Sequence, residues 1–366
     1  MTTVVRKISD MHAIIHICRD FEYRGGVENY LFDFVQHNNE YKHIIISTEG
    51  APGERTQILK KRGFEIIYIA GSFKSKVGQI NRIVSMYDLP ILHTHLFRPE
   101  KLGVFVRGCH SKVTTKYATY ATDSQTGNGF IDRLSRIINN KILDYLVTLF
   151  YCKVFIISNE LESKWSFLGN KIERVALSTV LKFGDYRKSH FLNDSMIIIC
   201  AARMVKEKAH DLMIESLRNV SFSKLYLLGD GPLREDIQKH ISRVGLKNVE
   251  MPGVVSREKV LEYMLKSDLM LLTSYTEGLP LLIQEAMSVG LVVVASDVGG
   301  NSELIDDSIG RVVQSRTAFA FSDAINSLIG KDIGEMGNRA IDRCKKKFNM
   351  FLTIRKINDV YCFLKK

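Results

Sequence analysis

Two glutamates, Glu277 and Glu285, stand in the run Thr276-Glu277-Gly278-Leu279-Pro280-Leu281-Leu282-Ile283-Gln284-Glu285-Ala286-Met287. Glu277 falls in a Gly/Pro-containing loop after the apolar strand Leu269–Leu272, and Glu285 about one and a half turns into the helix that follows. Upstream, Ala202-Arg203-Met204-Val205-Lys206-Glu207-Lys208 occupies the same kind of strand-to-helix junction. Ligands of doubly wound sheets bind just beyond the carboxyl ends of the strands, so these acids and cations are expected along one crevice. Arg203 offers a planar fork for phosphate oxygens and Lys208 a point charge beside it. Carboxylates accept hydrogen bonds from hydroxyls. Surface acids and cations are usually just solvated, but Glu285 is embedded in a largely apolar run, where a carboxylate needs a specific partner. A ribose diol, with two hydroxyl donors, would serve. Acids for hydroxyls beside cations for phosphates point to a nucleotide-sugar.

Four further junctions could contribute. Gly25-Gly26-Val27-Glu28 follows the first strand and opens the first helix. Glycines there let a backbone N–H approach a phosphate, and a helix N-terminus adds about half a positive charge. A plain tight turn explains the glycine pair equally well. It is no GxGxxG, and no Walker A sequence occurs, which lowers the odds of a dinucleotide cofactor. His93-Thr94-His95 ends the fourth strand; alternate strand residues face one side, so both imidazoles share a face. They lack a third ligand nearby in the sequence, which argues against zinc. Leu228-Gly229-Asp230-Gly231-Pro232 reads as a turn with Asp230 as a cap, and Ser296-Asp297-Val298-Gly299-Gly300 as another glycine loop at the mouth of a strand.

The elements that must carry these residues alternate. Ala13–Cys18, His43–Ser47, Glu65–Ile69, Ile91–Thr94, Lys112–Tyr117 and Val154–Ser158 read as strands, with helical spacing over Val27–Gln36, Val77–Tyr87 and Phe130–Phe150. A polar stretch at about Leu177–Asp194 lacks periodicity and marks an interdomain connection. The pattern then restarts, with strands at Met196–Ala201, Lys224–Leu228, Val249–Met251, Leu269–Thr273, Val292–Ala295 and Arg311–Val313. Helices are expected over 207–218, 232–244, 256–266, 281–289, 316–329, 334–347 and 351–364. This βαβα order implies two parallel sheets, each covered on both faces.

At 366 residues the chain suits two domains. Its six cysteines are scattered without CxxC spacing, as in a reducing compartment. No signal peptide is expected, because Met1–Asp10 is polar and Ala13–Cys18 too short an apolar core. The apolar stretch Ile142–Ile157 is broken by Asp144 and Lys153, so no membrane span is expected there. The formal charge is +11 and uneven: residues 1–182 hold 25 Lys/Arg against 17 Asp/Glu. Such a basic half suits an anionic membrane surface, at about 1 kcal/mol per juxtamembrane cation, although an ordinary solvated surface accounts for it as well. Nucleic acid is disfavoured, since no helix-turn-helix, zinc module or RNP motif accompanies the charge.

Taken in order, these motifs resemble the retaining GT-B glycosyltransferases of family 4, which include many bacterial polysaccharide and lipid glycosyltransferases. The matching pieces are Gly25-Gly26-Val27-Glu28, His93-Thr94-His95, Ala202-Arg203 with Glu207-Lys208, Gly229-Asp230-Gly231-Pro232, Glu277-Gly278-Leu279-Pro280 with Glu285, and Ser296-Asp297-Val298-Gly299-Gly300. The likeness spans most of the chain, strongest from about Ile197 to Gly310 and looser before Ile91. It implies an α/β GT-B fold of two Rossmann-like doubly wound domains facing across a cleft. Residues 1–182 would bind the acceptor and 190–349 the donor, with a terminal helix, 350–366, packing back on the first domain. By the same resemblance Arg203 and Lys208 grip the donor diphosphate, joined by Gly26 and the backbone of Leu281 and Leu282. Glu285 holds the ribose hydroxyls, Glu277 orients the sugar, and His95 lies beside the anomeric centre; Glu277 and His95 are the expected catalytic residues. No metal and no further cofactor are implied, in keeping with the lack of an Asp-x-Asp pair.

The implied activity moves a hexose or N-acetylhexosamine from a nucleotide diphospho-sugar, most readily a UDP-sugar, to a lipid-linked glycan or lipopolysaccharide acceptor. That places it in bacterial surface polysaccharide or O-antigen biosynthesis, cytoplasmic and peripheral at the inner face of the plasma membrane. Two other readings share the motifs: a nucleotide-sugar epimerase of GT-B architecture, and an inactive nucleotide-sugar-binding scaffold. The chain departs from the family in three places. Ala202 and Ala209 replace glycines around the Arg/Lys loop, which restricts its backbone. Leu177–Leu181 stands where an Asn-Gly-hydrophobic-Asp turn is usual, and the Ser/Thr/Gly-rich residues 119–129 where a His-Gly pair follows the fifth strand.

Overall fold

A computed structural model describes residues 12–23, 25–117, 142–178, 180–181 and 195–365. The chain divides into two units, Met1–Thr179 with Met350–Lys366, and Val180–Asn349. The first is built on seven strands: β1 (Ala13–Cys18), β2 (Lys42–Ser47), β3 (Glu65–Tyr68), β4 (Ile91–His95), β5 (Ser111–Lys116), β6 (Lys153–Ile156) and β7 (Ile172–Arg174). All neighbours pair in parallel, in the order β3-β2-β1-β4-β5-β6-β7. The central strands are apolar on both faces (Ile14 and Ile15, Ile44 and Ile45 are all inaccessible), as a sheet covered by helices on both sides requires. Helix Met350–Leu364 packs against helix Gly26–His37 of this unit. Its Asn358 and Asn38 exchange amide hydrogen bonds at 2.8 and 3.0 Å, and Thr353 donates to the Ala176 carbonyl at 2.6 Å.

The second unit carries β8 (Ile197–Ala201), β9 (Lys224–Leu228), β10 (Val249–Gly253), β11 (Leu269–Leu272), β12 (Val292–Ser296) and β13 (Gly310–Val313). They too are parallel, in the order β10-β9-β8-β11-β12-β13. In each sheet the order reverses beside the unit's first strand, between β1 and β4 and between β8 and β11. Loops leaving the carboxyl ends of such a pair diverge to opposite sides and open a crevice. The two sheets are the Rossmann-like pair expected from the alternation.

Every expected strand is present within a residue or two, the ordinary uncertainty of element ends. Sequence periodicity missed β7, a half-buried edge strand, and the helices Glu54–Lys61, Phe97–Val104, Asn159–Trp165 and Asn301–Leu304. Glu54–Lys61 escaped because only Thr56 and Leu59 are buried, too few to mark a period. Of the helix expected over 130–150, residues 142–148 are helical and those up to 141 lie outside the described residues. The expected connection 177–194 and the loop 119–129 fall largely or wholly outside them too. Among the described residues no helix is long and apolar enough to cross a membrane.

Two glycines are demanded by geometry. Gly229 has φ +122°, and a Cβ there would lie 2.1 Å from the Ala202 carbonyl oxygen; Gly299 has φ +58°, and its Cβ would meet the Glu277 carbonyl at 2.3 Å. Only glycine permits both the left-handed backbone and the close approach. The turns after β9 and β12 can thus press against the loops that carry Arg203 and Glu277.

Candidate active site

The second unit gathers most of the candidate residues at its switch point. β8 ends at Ala201, and Arg203 follows it, exposed, while Met204 turns into the core. A short 3-10 turn, Lys206–Lys208, leads into helix His210–Ser216 through Ala209, which takes left-handed angles (φ 48°, ψ 48°). Three hydrogen bonds fix this loop: Met204 N–H to the Asp230 carbonyl at 2.9 Å, Tyr275 N–H to the Glu207 carbonyl at 2.8 Å, and Thr273 Oγ1 to the Ala209 carbonyl at 2.9 Å. The last two come from the segment after β11, so the loops after β8 and β11 are tied to each other.

Across that tie, Lys208 Nζ lies 2.6 Å from Glu277 Oε1, and Ser274 Oγ donates to the same oxygen at 2.6 Å. Leu281 and Leu282 are the first two residues of helix Leu281–Ser288, after Pro280. Helix geometry leaves their N–H groups without intrahelical partners, and the helix dipole makes that end attractive to an anion. Glu285, one turn further on, belongs to a second ion pair. Its Oε1 accepts from Arg257 Nε at 2.7 Å, and Arg257 Nη2 reaches the Val180 carbonyl at 3.4 Å. Asp230 holds its own turn, accepting from Gly231 N–H at 2.7 Å; it does not cap the next helix, which starts at Arg234.

In the first unit Gly26 opens helix Gly26–His37 and is exposed, with open space where a Cβ would stand. Glu28, in the first turn, is buried, and burial pushes its carboxyl pKa up to about 7. His95 is wholly buried. Its Nδ1 is 2.6 Å from the Tyr117 hydroxyl and its Nε2 3.0 Å from His16 Nδ1; His16 Nε2 in turn meets His43 Nδ1 at 2.9 Å. His93 stacks on His95 with ring centroids 4.2 Å apart, and its nitrogens meet the hydroxyls of Thr115 (2.7 Å) and Tyr361 (2.5 Å). The two histidines of His93-Thr94-His95 thus share a face, as strand alternation requires. Burial keeps the imidazoles neutral. His43 and His95 are pushed down to about 3, and His16 and His93 well below the ordinary histidine value, with neighbouring imidazoles adding to the shift for those two.

Two expectations change here. His93 and His95 do have a third imidazole near them: His16, on the adjacent strand, brings three ring nitrogens within 4.8 Å of one another. The His16 and His95 nitrogens that face each other are already joined by a hydrogen bond. His95, expected beside a sugar, has both nitrogens engaged and no surface exposed. Sequence reasoning passed over Arg257, His16 and His43. The signals were present: Arg257 follows a strand-end glycine, Gly253, much as Arg203 follows β8, and His16 interrupts the apolar run Ala13–Cys18.

The architecture is that of the GT-B fold, and the comparisons with known proteins support a glycosyltransferase. Residues 183–347 match the family model described as Glycosyl transferases group 1. Among curated proteins, the uncharacterized glycosyltransferase MJ1178 of Methanocaldococcus jannaschii is 22% identical over 349 residues, covering 88% of this chain and 86% of its own. The phosphatidylinositol N-acetylglucosaminyltransferase GPI3 subunit of Saccharomyces cerevisiae is 23% identical over 344 residues, covering 87% of this chain and 74% of its own. Among solved structures, Anabaena Alr3699/HepE in complex with UDP-glucose superposes with a TM-score of 0.77 at 16% identity, over 96% of this chain and 99% of that one.

Proposed function

We propose that the chain is a retaining, metal-independent glycosyltransferase of family 4 that moves a hexose or N-acetylhexosamine from a UDP-sugar to a lipid-linked glycan or lipopolysaccharide acceptor. The observation that carries this reading is the Lys208–Glu277 pair at the β8/β11 switch point, with Arg203 at the start of the same loop. The solved relative that holds UDP-glucose and the curated relative named for phosphatidylinositol N-acetylglucosaminyl transfer support a UDP-sugar donor and a lipid acceptor.

In this reading Arg203, Lys208 and the N–H groups of Leu281 and Leu282 hold the diphosphate. Glu285 holds the ribose diol, and Glu277 orients both Lys208 and the sugar. The bond from the anomeric carbon to the phosphate oxygen breaks, and the acceptor oxygen bonds to the same face of that carbon. The departing phosphate takes the acceptor proton. Charge develops on the leaving phosphate, so fixed cations and amides stabilise the transition state more than the ground state.

The chain works as a peripheral protein on the cytoplasmic face of an anionic membrane. Its basic first half and the exposed apolar side chains Ile142, Leu146, Leu149, Phe150 and Phe167 support that placement. The deciding experiment screens UDP-, GDP- and ADP-sugars for release of nucleoside diphosphate, with and without lipid-linked acceptors and EDTA, and reads the product anomer by NMR. Transfer with retention from a UDP-sugar, unaffected by EDTA, is expected, and Arg203→Ala should abolish it. Conversion of the donor to its epimer without acceptor would replace the reading with an epimerase.

A further inference from the structure

We propose that Arg257 is a positioning residue of the donor site, holding the Glu285 carboxylate aimed at the ribose diol. The inference rests on the reading that Glu285 binds that diol. Its basis is a charge-assisted hydrogen bond, Arg257 Nε to Glu285 Oε1 at 2.7 Å, short enough to fix the carboxylate's orientation. The guanidinium is held from a second side, since its Nη2 reaches the Val180 carbonyl at 3.4 Å. One planar fork can serve both acceptors at once; a lysine ammonium on a flexible stem cannot hold that geometry.

Topology explains how the two meet. The chain leaves edge strand β10 at Gly253, and helix Arg257–Lys266 crosses back towards β11, packing on β8 and on helix Leu281–Ser288. Ser256 caps its start, accepting from Lys259 N–H, which places Arg257 in the first turn. Helix Leu281–Ser288 is itself fixed: Leu281, Ile283, Gln284, Ala286, Met287 and Ser288 are buried, and Glu285 is its single acid. Its remaining freedom is the side-chain rotamer, and Arg257 selects it.

Stability is a poor explanation for the pair. The side chains of Arg257 and Glu285 are 35% and 18% exposed, and solvent screens such partly exposed pairs to little net worth. A carboxylate fixed before the ligand arrives, by contrast, binds without the cost of ordering it.

The test reads ribose recognition directly. UDP and 2′-deoxy-UDP are titrated by calorimetry against the wild type, Glu285→Gln, Arg257→Gln and Arg257→Lys, with thermal midpoints recorded for each. A hydroxyl bonded to a carboxylate should give the wild type a preference for UDP of about ten- to a hundredfold. Glu285→Gln should flatten this preference, Arg257→Gln should reduce it at least about fivefold, and Arg257→Lys should restore part of it. Arg257→Gln should also raise KM for the UDP-sugar with kcat nearly unchanged, as loss of uniform binding does. If Glu285→Gln flattens the preference while Arg257→Gln keeps it, the positioning role is overturned. If Glu285→Gln keeps the preference, the ribose assignment itself falls, and Arg257's role with it.

Discussion

Lys208 Nζ and Glu277 Oε1 stand 2.6 Å apart, one from the loop after β8 and the other from the loop after β11. Lys208 is 21% exposed and Glu277 10%, so the cation is held in a partly desolvated place and still reaches solvent. Glu277 aims the ammonium, and Ser274 aims Glu277. Lys208→Met should therefore lower kcat/KM for the nucleotide-sugar donor by about a hundred- to a thousandfold, the usual worth of one electrostatic donor in a transition state. Glu277→Gln should cost less, because it leaves the ammonium in place but loosely aimed. Near-normal turnover of Lys208→Met in a steady-state assay would remove Lys208 from the mechanism.

Ala209 is predicted to be a point of stored strain. A residue with a Cβ pays about 1–2 kcal/mol for left-handed angles, and Ala209 holds them at φ 48°, ψ 48°. Ala209→Gly relieves that strain at a smaller entropic cost, for a net gain of about 0.5–1 kcal/mol. Urea unfolding followed by a probe in the second unit should show a higher midpoint. A lower one would mean that the loop's hydrogen bonds select this conformation at no cost to the alanine.

The buried imidazoles predict acid sensitivity of the first unit. His43 and His95 have folded pKa values near 3, against about 6.5 in an unfolded chain. Between those values the unfolded state binds more protons, so stability rises with pH and is lost as pH falls below about 6.5. The limiting slope is about 1.4 kcal/mol per pH unit for each such histidine. Thermal midpoints at pH 7.5, 6 and 5 should decline, while histidine ring NMR signals of His16, His43, His93 and His95 stay fixed across that range. A ring that titrates near 6.5 in the folded protein would show the network to be open.

Membrane docking is predicted to combine charge and insertion. Phe150 and Leu146 are 64% and 51% exposed. Burying two such side chains among acyl chains contributes a few kcal/mol, roughly 1.5–3 each when complete. Flotation with vesicles containing phosphatidylglycerol should therefore weaken in Leu146→Glu and Phe150→Glu, and weaken in the wild type as salt screens the basic half. Binding indifferent to both changes would locate the contact elsewhere.

Much of this was legible in the chain itself. Strand-length apolar runs, helical spacing and the glycine-bearing junctions are local signals, because side-chain direction and backbone freedom repeat over a few residues. They located Arg203, Lys208 and Glu277 in the loops beyond strand ends and Glu285 in the helix that follows, and the structure joins Lys208 to Glu277. Which side chain meets which was decided by strand order. His16 touches His95 because β1 lies beside β4, and Arg257 reaches Glu285 because the crossover from edge strand β10 returns over β8 to β11. Such pairings depend on register and on the path of the connection between distant segments, and no local period records either.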